Sequence, residues 1–384
     1  MAGGFFGMPD SVSLSLLARH PLCRPEVSGL PRYNAGLSED EVRRRYGLQN
    51  IVKLGSNENP YGPSPNVIAG WAALAERLGR YPDAAAETLR HDIARLNGLE
   101  SDRVLVGNGS EQIIRLIAEA YLSPGERVVT VRPAFGLHEI YPRMMGAEVD
   151  AVPVSSDATF DLAALQDAVK RPTKILMFAN PSNPVGCMMS GAALQDLIDA
   201  CPSHALIVVD EAYREYAEED SEYPDAQVIL EKQPRPWVIL RTFSKAYGLA
   251  ALRIGYALTS SADVAKTLDT VRDPFNTNMP AQVAASAALA DDAYMKDCIR
   301  KTVSERKRVA EVLKGMGLFV APTWTNFVFV RVPVPADQLA TELLKRGIII
   351  KPWKEKGFET WARISIGLPT ENDTLLQAVA DLVL

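Results

Sequence analysis

This sequence predicts an α/β fold with a mostly parallel sheet, on three observations. Short, fully apolar, β-branched runs recur between amphipathic helical stretches. Such runs suit strands buried on both faces, as in a parallel sheet covered by helices. Polar residues and glycines gather at the C-terminal ends of these runs, in GNGSEQ, ANPSNPVG, VDEAY and TFSK, where open α/β sheets bind ligands. After PFNTNMP (274–280) a long helical region gives way to short strands and helices, which predicts a smaller α+β unit.

RVLVGNG (103–109) reads as a strand, followed by a helix with Ile113, Ile114, Leu116 and Ile117 on its apolar face. RVVTVRP (127–133) and KILMFANP (174–181) are further strands, each leading into a helix, the second around 191–200. ALIVVDEAY (205–213) and PWVILRTFSK (236–245) complete the apolar set, all of them too short for buried helices. Helix then extends to about residue 316, followed by a strand NFVFVRV (326–332), a helix near 336–346 and short strands in GIIIK and ARISIG. The chain divides into an N-terminal arm (1–27), a large α/β domain (50–274) and a small α+β domain built from 28–49 and 275–384.

A chain of 384 residues is long enough for more than one core. Its net charge of −6 argues against a nucleic-acid or anionic-membrane surface as the main partner. Cys23, Cys187, Cys201 and Cys298 form no C-x-x-C pair, and His20, His91, His138 and His204 form no H-x-x-x-H, so no metal site is expected. The N-terminus lacks a basic region before an apolar core, and no apolar run is long enough to span a membrane. A soluble, cytoplasmic protein is the expectation.

Four strand ends carry possible chemistry. In GNGSEQ a strand turns through Gly109 into a helix, which aims free N–H groups around Ser110 and Glu111 outward and suits a phosphate. ANPSNPVG presents the Asn183 amide from a proline-stiffened loop, and VDEAY ends a buried strand on Asp210, which needs a partner there. TFSKAYGLAALRIG adds Thr242, Ser244, Lys245 and Arg253: a desolvated lysine is an amine nucleophile able to form a Schiff base, and an arginine clamps phosphate. Taken singly, these are also a turn glycine, a loop asparagine, a capping aspartate and a solvated lysine. Together they match the parts that pyridoxal 5′-phosphate requires.

The order GNGSEQ, NPSNPVG, VDEAYREY, TFSKAYGLAALRIGY resembles the fold-type I pyridoxal-phosphate aminotransferases of class I and II. The stretch PRYNAGLSEDEVRRRYGLQNIVKLGSNENPYGPSP (31–65) is similar to the histidinol-phosphate aminotransferase branch, and the resemblance runs from about residue 28 to the C-terminus. It implies a seven-stranded-type sheet in the large domain and a homodimer whose active site is shared across the interface. It implies that Lys245 attaches the cofactor and acts as general acid/base, that Asp210 pairs with the ring nitrogen, and that Asn183 and Tyr213 bond the ring's phenolic oxygen. Phe135 would stack on the ring, while Ser110, Thr242, Ser244, Arg253 and the backbone at Gly109 and Glu111 would bind the phosphate, joined by Tyr61 of the neighbouring subunit. Arg363 would clamp a substrate α-carboxylate, with Tyr33, Asn326 and Lys351 also at the substrate.

The implied reaction takes an amino group from histidinol phosphate to 2-oxoglutarate, a step of histidine biosynthesis. The stretch GIIIKPWKEKG departs from the branch: Lys351, with Lys354 close by, stands where an arginine often binds the substrate's phosphate. Lysine keeps the charge and loses the bidentate fork, which leaves an aromatic amino-acid aminotransferase as the alternative and a threonine-phosphate-type decarboxylase as a second. Gln112 replaces a frequent acid and is expected to serve helix capping.

Overall fold

The computed structural model describes residues 22–383 except 35, 72, 73 and 75, so residues 1–21 of the expected arm, with His20, lie outside the described residues. Near the N-terminus, β1 (Val52–Lys53) runs as a short strand. The main sheet follows, with β2 (Val104–Gly107), β3 (Arg127–Arg132), β4 (Glu148–Pro153), β5 (Ile175–Ala179), β6 (Leu206–Asp210), β7 (Trp237–Thr242) and β8 (Gly255–Thr259) in the order β2-β8-β7-β6-β5-β3-β4. Strands β3 to β7 are mutually parallel, whereas β8 is antiparallel to both β2 and β7.

Alternation along the central strands explains the two-sided burial. Leu176, Phe178, Ile207, Val209 and Ile239 enter one core with the helices Leu162–Lys170, Gly191–Ala200 and Met279–Leu289. Their neighbours Ile175, Met177, Leu206, Val208, Val238 and Leu240 enter a second core under the helix Gly109–Tyr121, which supplies Ile113, Ile114, Leu116 and Ile117. Strand residues of period two thus bind the sheet to both helical layers, and every residue of β5, β6 and β7 is buried.

The smaller unit contains β9 (Phe319–Val320), β10 (Phe327–Arg331), β11 (Ile348–Ile349), β12 (Lys351–Pro352) and β13 (Trp361–Ser365). An antiparallel sheet has the order β12-β13-β10-β9, while β11 pairs in parallel with β1. Leu54, Val328, Val330, Leu339, Leu343, Ile364, Leu375 and Val379 form its core.

Several sequence expectations need correction. The long helical region is two helices, Met279–Leu289 and Asp292–Gly315, interrupted where the Asp291 side chain caps the second. The expected boundaries at 49/50 and 274/275 both move. Val52–Lys53 pairs with β11 and Leu54 joins the small core, while Ala281, Ala284, Ala285 and Ala288 pack into the large one. The composition change at 274–280 marks a turn before an alanine-faced helix, and the second junction falls within Asp292–Gly315, where Ile299 faces the large core and Val309 and Leu313 the small.

Candidate active site

Registration of the sheet brings the polar strand ends to one edge. Ala179 of β5 sits opposite Asp210 of β6, and Asp210 opposite Leu240 of β7, so Asp210 and Thr242 emerge at the same side as the Asn183 loop. Because β8 is antiparallel, it brings its N-terminal end there: Gly255 is the register partner of both Gly107 and Thr242. Arg253, two residues earlier, therefore lies beside the start of the Gly109–Tyr121 helix.

The N-terminus of that helix is a cup kept open by glycine. Gly109 has φ +72°, and a Cβ there would lie 2.9 Å from Arg253 Nη2; one on Gly255 would lie 2.4 Å from the Ser110 nitrogen. Thr242 and Ser244 are buried at the same corner, with the Ser244 N–H donating to Thr242 Oγ1 at 3.1 Å. Arg253 donates to the Ala250 carbonyl at 3.0 Å and faces Glu111 Oε2 at 3.4 Å. Gln112 accepts from the Asn108 N–H at 2.8 Å and from Asn276, so it caps the helix.

At the other end, the buried Asp210 carboxylate meets His138 Nε2 at 3.1 Å and accepts from the Ala212 N–H at 3.1 Å. Phe135 stands edge-on to both His138 and Tyr33, with centroids 5.7 and 5.8 Å apart. The Tyr213 hydroxyl accepts from Asn57 Nδ2 at 2.8 Å, and burial pushes it up to about 12.

Lys245 is drawn down to about 7, first by burial and then by the neighbouring Arg363 guanidinium. Its Nζ donates to the Ser56 carbonyl at 3.1 Å and lies 5.9 Å from the centre of the Tyr213 ring. An amine in this state is a nucleophile and base near neutral pH.

Arg363 is buried, donating through Nη1 to Asn183 Oδ1 at 2.7 Å and through Nη2 to the Gly55 carbonyl at 2.8 Å. Its Nε is buried without a partner, and among the described residues it forms no ion pair. Lys351 is its register partner across β12 and β13 and donates to the Asn34 carbonyl at 2.6 Å. Burial, Arg363 and Lys354 together draw Lys351 down to about 8. Two adjacent cations that form no ion pair among the described residues make this corner receptive to an anion.

The chain matches the aminotransferase class I and II family over residues 49–379. The chain belongs to that family. It is 45% identical to histidinol-phosphate aminotransferase 1 of Mesorhizobium japonicum, across 94% of this chain and 98% of that one. It is 42% identical to histidinol-phosphate aminotransferase 3 of Rhizobium meliloti, across 93% and 96%. The crystal structure of histidinol-phosphate aminotransferase from Sinorhizobium meliloti in complex with pyridoxal-5′-phosphate superposes with a TM-score of 0.86 at 30% identity, covering 97% of this chain and 99% of that chain.

The aminotransferase's own residues fit that cofactor. The glycine cup and Arg253 suit its phosphate, the buried Asp210 suits a protonated ring nitrogen, and the depressed Lys245 suits its aldehyde. Tyr61 stands apart from the cup within its own chain: its carbonyl accepts from the Tyr294 hydroxyl at 2.8 Å, and Lys301 Nζ lies 5.3 Å from its ring centre. The loop carrying it is anchored to the lysine loop, since Asn59 Nδ2 donates to the Ala246 carbonyl at 2.9 Å.

Asn57, Ser365 and His138 received no role from the sequence. Asn57, at φ +55°, bonds Tyr213 and both accepts from and donates to Ser365, at 2.9 and 2.7 Å. Asn326 Nδ2 donates to the Asn57 carbonyl at 2.9 Å, so this network joins the two units. His138 is fully buried against Asp210. Asn57 had a signal, because asparagine tolerates the left-handed region in a turn motif such as NENPYG. Among the described residues no group of His, Cys, Asp and Glu is placed to hold a metal, and no helix is long and apolar enough to cross a membrane.

Proposed function

We propose that this aminotransferase transfers the amino group of histidinol phosphate to 2-oxoglutarate, giving imidazole-acetol phosphate and glutamate, as a cytoplasmic homodimer in histidine biosynthesis. The observation that carries the reading is the pair of buried or half-buried cations, Arg363 and Lys351, set in register with each other near Lys245 and, among the described residues, in no ion pair. They suit a donor that bears a phosphate and an acceptor that bears carboxylates. Relatives that carry the histidinol-phosphate aminotransferase name match nearly the whole chain and support the same substrate.

When bound, pyridoxal phosphate supplies the electron sink for the carbanion left by proton removal. The protein's residues do the rest. Lys245 Nζ would anchor the cofactor at its aldehyde carbon; freed by the donor, it would carry a proton from the donor's Cα to that carbon, and in the second half-reaction carry one the opposite way, to the acceptor's Cα. Asp210, its carboxylate fixed by His138, would hold the ring nitrogen, Asn183 and Tyr213 would bond the phenolic oxygen, and Phe135 would stack on the ring. Ser110, Thr242, Ser244, Arg253 and the backbone at Gly109 and Glu111 would bind the phosphate, with Tyr61 contributed by a second subunit. Arg363 receives the α-carboxylate of the acceptor, Lys351 the donor's phosphate, and Tyr33 and Asn326 border the substrate. Tyr81, 80% exposed and stacked on Phe275 at 4.5 Å, supports a subunit face on the large unit.

An aromatic amino-acid donor is the second reading, favoured by the apolar edge that Tyr33 and Phe135 form beside the site. Comparing kcat/KM for histidinol phosphate, phenylalanine and tyrosine with 2-oxoglutarate as acceptor tests the proposal. Histidinol phosphate should lead; a clear preference for phenylalanine or tyrosine, or release of carbon dioxide without keto-product, overturns it.

A further inference from the structure

A second cleft, of about 430 Å³, opens where the two cores meet. Its floor is the helix Asp292–Gly315, which serves both cores, and its walls are Tyr216 from the large unit and Trp324 from the strand-flanking loop of the small one. The volume is within the range of small-molecule sites.

Arg306 rises from the helix into this cleft and is only 6% exposed. Among the described residues its one hydrogen bond goes from Nη1 to the Thr325 carbonyl at 2.7 Å, and no acid forms an ion pair with it. Burial draws it down to about 10, so it is charged at neutral pH. A buried guanidinium with one neutral acceptor, near Asp220 but in no ion pair with it, is a costly arrangement that an incoming carboxylate relieves.

Asp220 lines the same cleft in a fixed orientation. Its Oδ2 accepts from Trp324 Nε1 at 2.7 Å and its Oδ1 from the Glu222 N–H at 3.0 Å, and these bonds hold the carboxyl below the usual range. Glu219 and Glu311, with Lys307 and Lys314, add two charges of each sign to the lining. A simple anion would face the three acids Glu219, Asp220 and Glu311, and a simple amine the three cations Arg306, Lys307 and Lys314. A zwitterion satisfies both, and the flat Trp324 face takes an apolar ring.

We propose that this cleft binds a free α-amino acid with an aromatic or heteroaromatic side chain, its carboxylate on Arg306, its ammonium on Asp220 and its ring against Trp324. The site is separate from Lys245 yet linked to it. Thr325, which accepts from Arg306, is followed by Asn326, whose side chain holds the Asn57 carbonyl at 2.9 Å. A ligand that draws Arg306 from Thr325 therefore acts on the joint that sets the active-site network.

Calorimetric titration of the holoenzyme with L-histidine, L-phenylalanine and L-tyrosine tests this, with cofactor absorbance followed in parallel. At least one should bind saturably, once per chain, without changing the cofactor spectrum, and the amine lacking its carboxylate should not. Arg306→Gln and Asp220→Asn should each weaken that binding about tenfold or more, while Lys351→Met in the active site leaves it intact. Asp220→Asn keeps an acceptor for Trp324, so it serves if Arg306→Gln does not fold. No saturable binding at millimolar concentration, binding indifferent to Asp220→Asn, or binding lost with Lys351→Met overturns the proposal.

Discussion

Arg363 donates from Nη1 to the side-chain carbonyl of Asn183 at 2.7 Å, tying the small antiparallel sheet to the loop beyond β5. One bond thus connects the residue that would clamp a carboxylate with the residue that would hold the cofactor ring. With Nε buried and unpaired, the guanidinium has donors left for a ligand while its position is already fixed.

Arg363→Lys should separate the two half-reactions. Lysine keeps the charge but cannot hold Asn183, the Gly55 carbonyl and a carboxylate together. The loss of charge-assisted bonds is worth about 1.5–3 kcal/mol, so the rate constant for 2-oxoglutarate should fall about ten- to a hundredfold. Histidinol phosphate has no α-carboxylate and should be affected less. Single-turnover measurement of each half-reaction, followed by cofactor absorbance, checks this.

Gly109→Ala should weaken cofactor retention with little loss of fold. The backbone there has φ +72° and the new Cβ would press on Arg253 Nη2 at 2.9 Å. Left-handed strain alone costs about 1–2 kcal/mol, so the dissociation constant for pyridoxal phosphate should rise about tenfold. Fluorescence titration of the apoenzyme measures it, and the far-ultraviolet circular dichroism should be unchanged.

The low Lys245 value predicts a pH signature. Below about 7 the amine is protonated and inert, so capture of pyridoxal phosphate by the apoenzyme should rise through pH 7 and level off above it. The stability sign follows from proton binding. Between the folded value of about 7 and the ordinary 10.5 the unfolded chain holds the proton more tightly, so apoenzyme stability gains with rising pH. Stopped-flow capture, and melting of wild type against Lys245→Met from pH 7 to 10, read the two effects; the wild type should gain on the variant as pH rises.

Away from the active site, Glu211→Gln should destabilise the large unit. Glu211 and Arg241 form a 2.8 Å ion pair with both side chains only 2% exposed, supported by Asn97 and Tyr223. Neutralising one partner of such a pair leaves a buried charge and costs about 3–5 kcal/mol. A clear fall in the urea midpoint should follow, with the cofactor spectrum of the surviving folded enzyme unchanged.

The sequence made the continuously apolar strands readable, because burial on both faces leaves an uninterrupted run, as in ILMFA of β5 and LIVVD of β6. It hid β4, whose Glu148 and Asp150 break the run on the sheet's edge, and β8, which is short and opens on Gly255 directly after the Arg253 segment. The antiparallel direction of β8 is decided by tertiary pairing, yet it is what carries Arg253 to Gly109. Lys245, Asp210, Asn183 and Tyr213 stood out because each sits in a compact local motif. Ser365 and Asn57 did not, since their bond spans 308 residues, and His138 meets Asp210 from 72 residues away on a helix where nothing local marks it.

The central claim is that Lys245 carries the cofactor. Borohydride reduction of the holoenzyme, proteolysis and peptide mass spectrometry test it directly. One pyridoxyl-phosphate adduct per chain is expected, on the peptide containing Lys245, and none in the Lys245→Ala protein; an adduct on another lysine, or multiple-turnover transamination by Lys245→Ala, would contradict this.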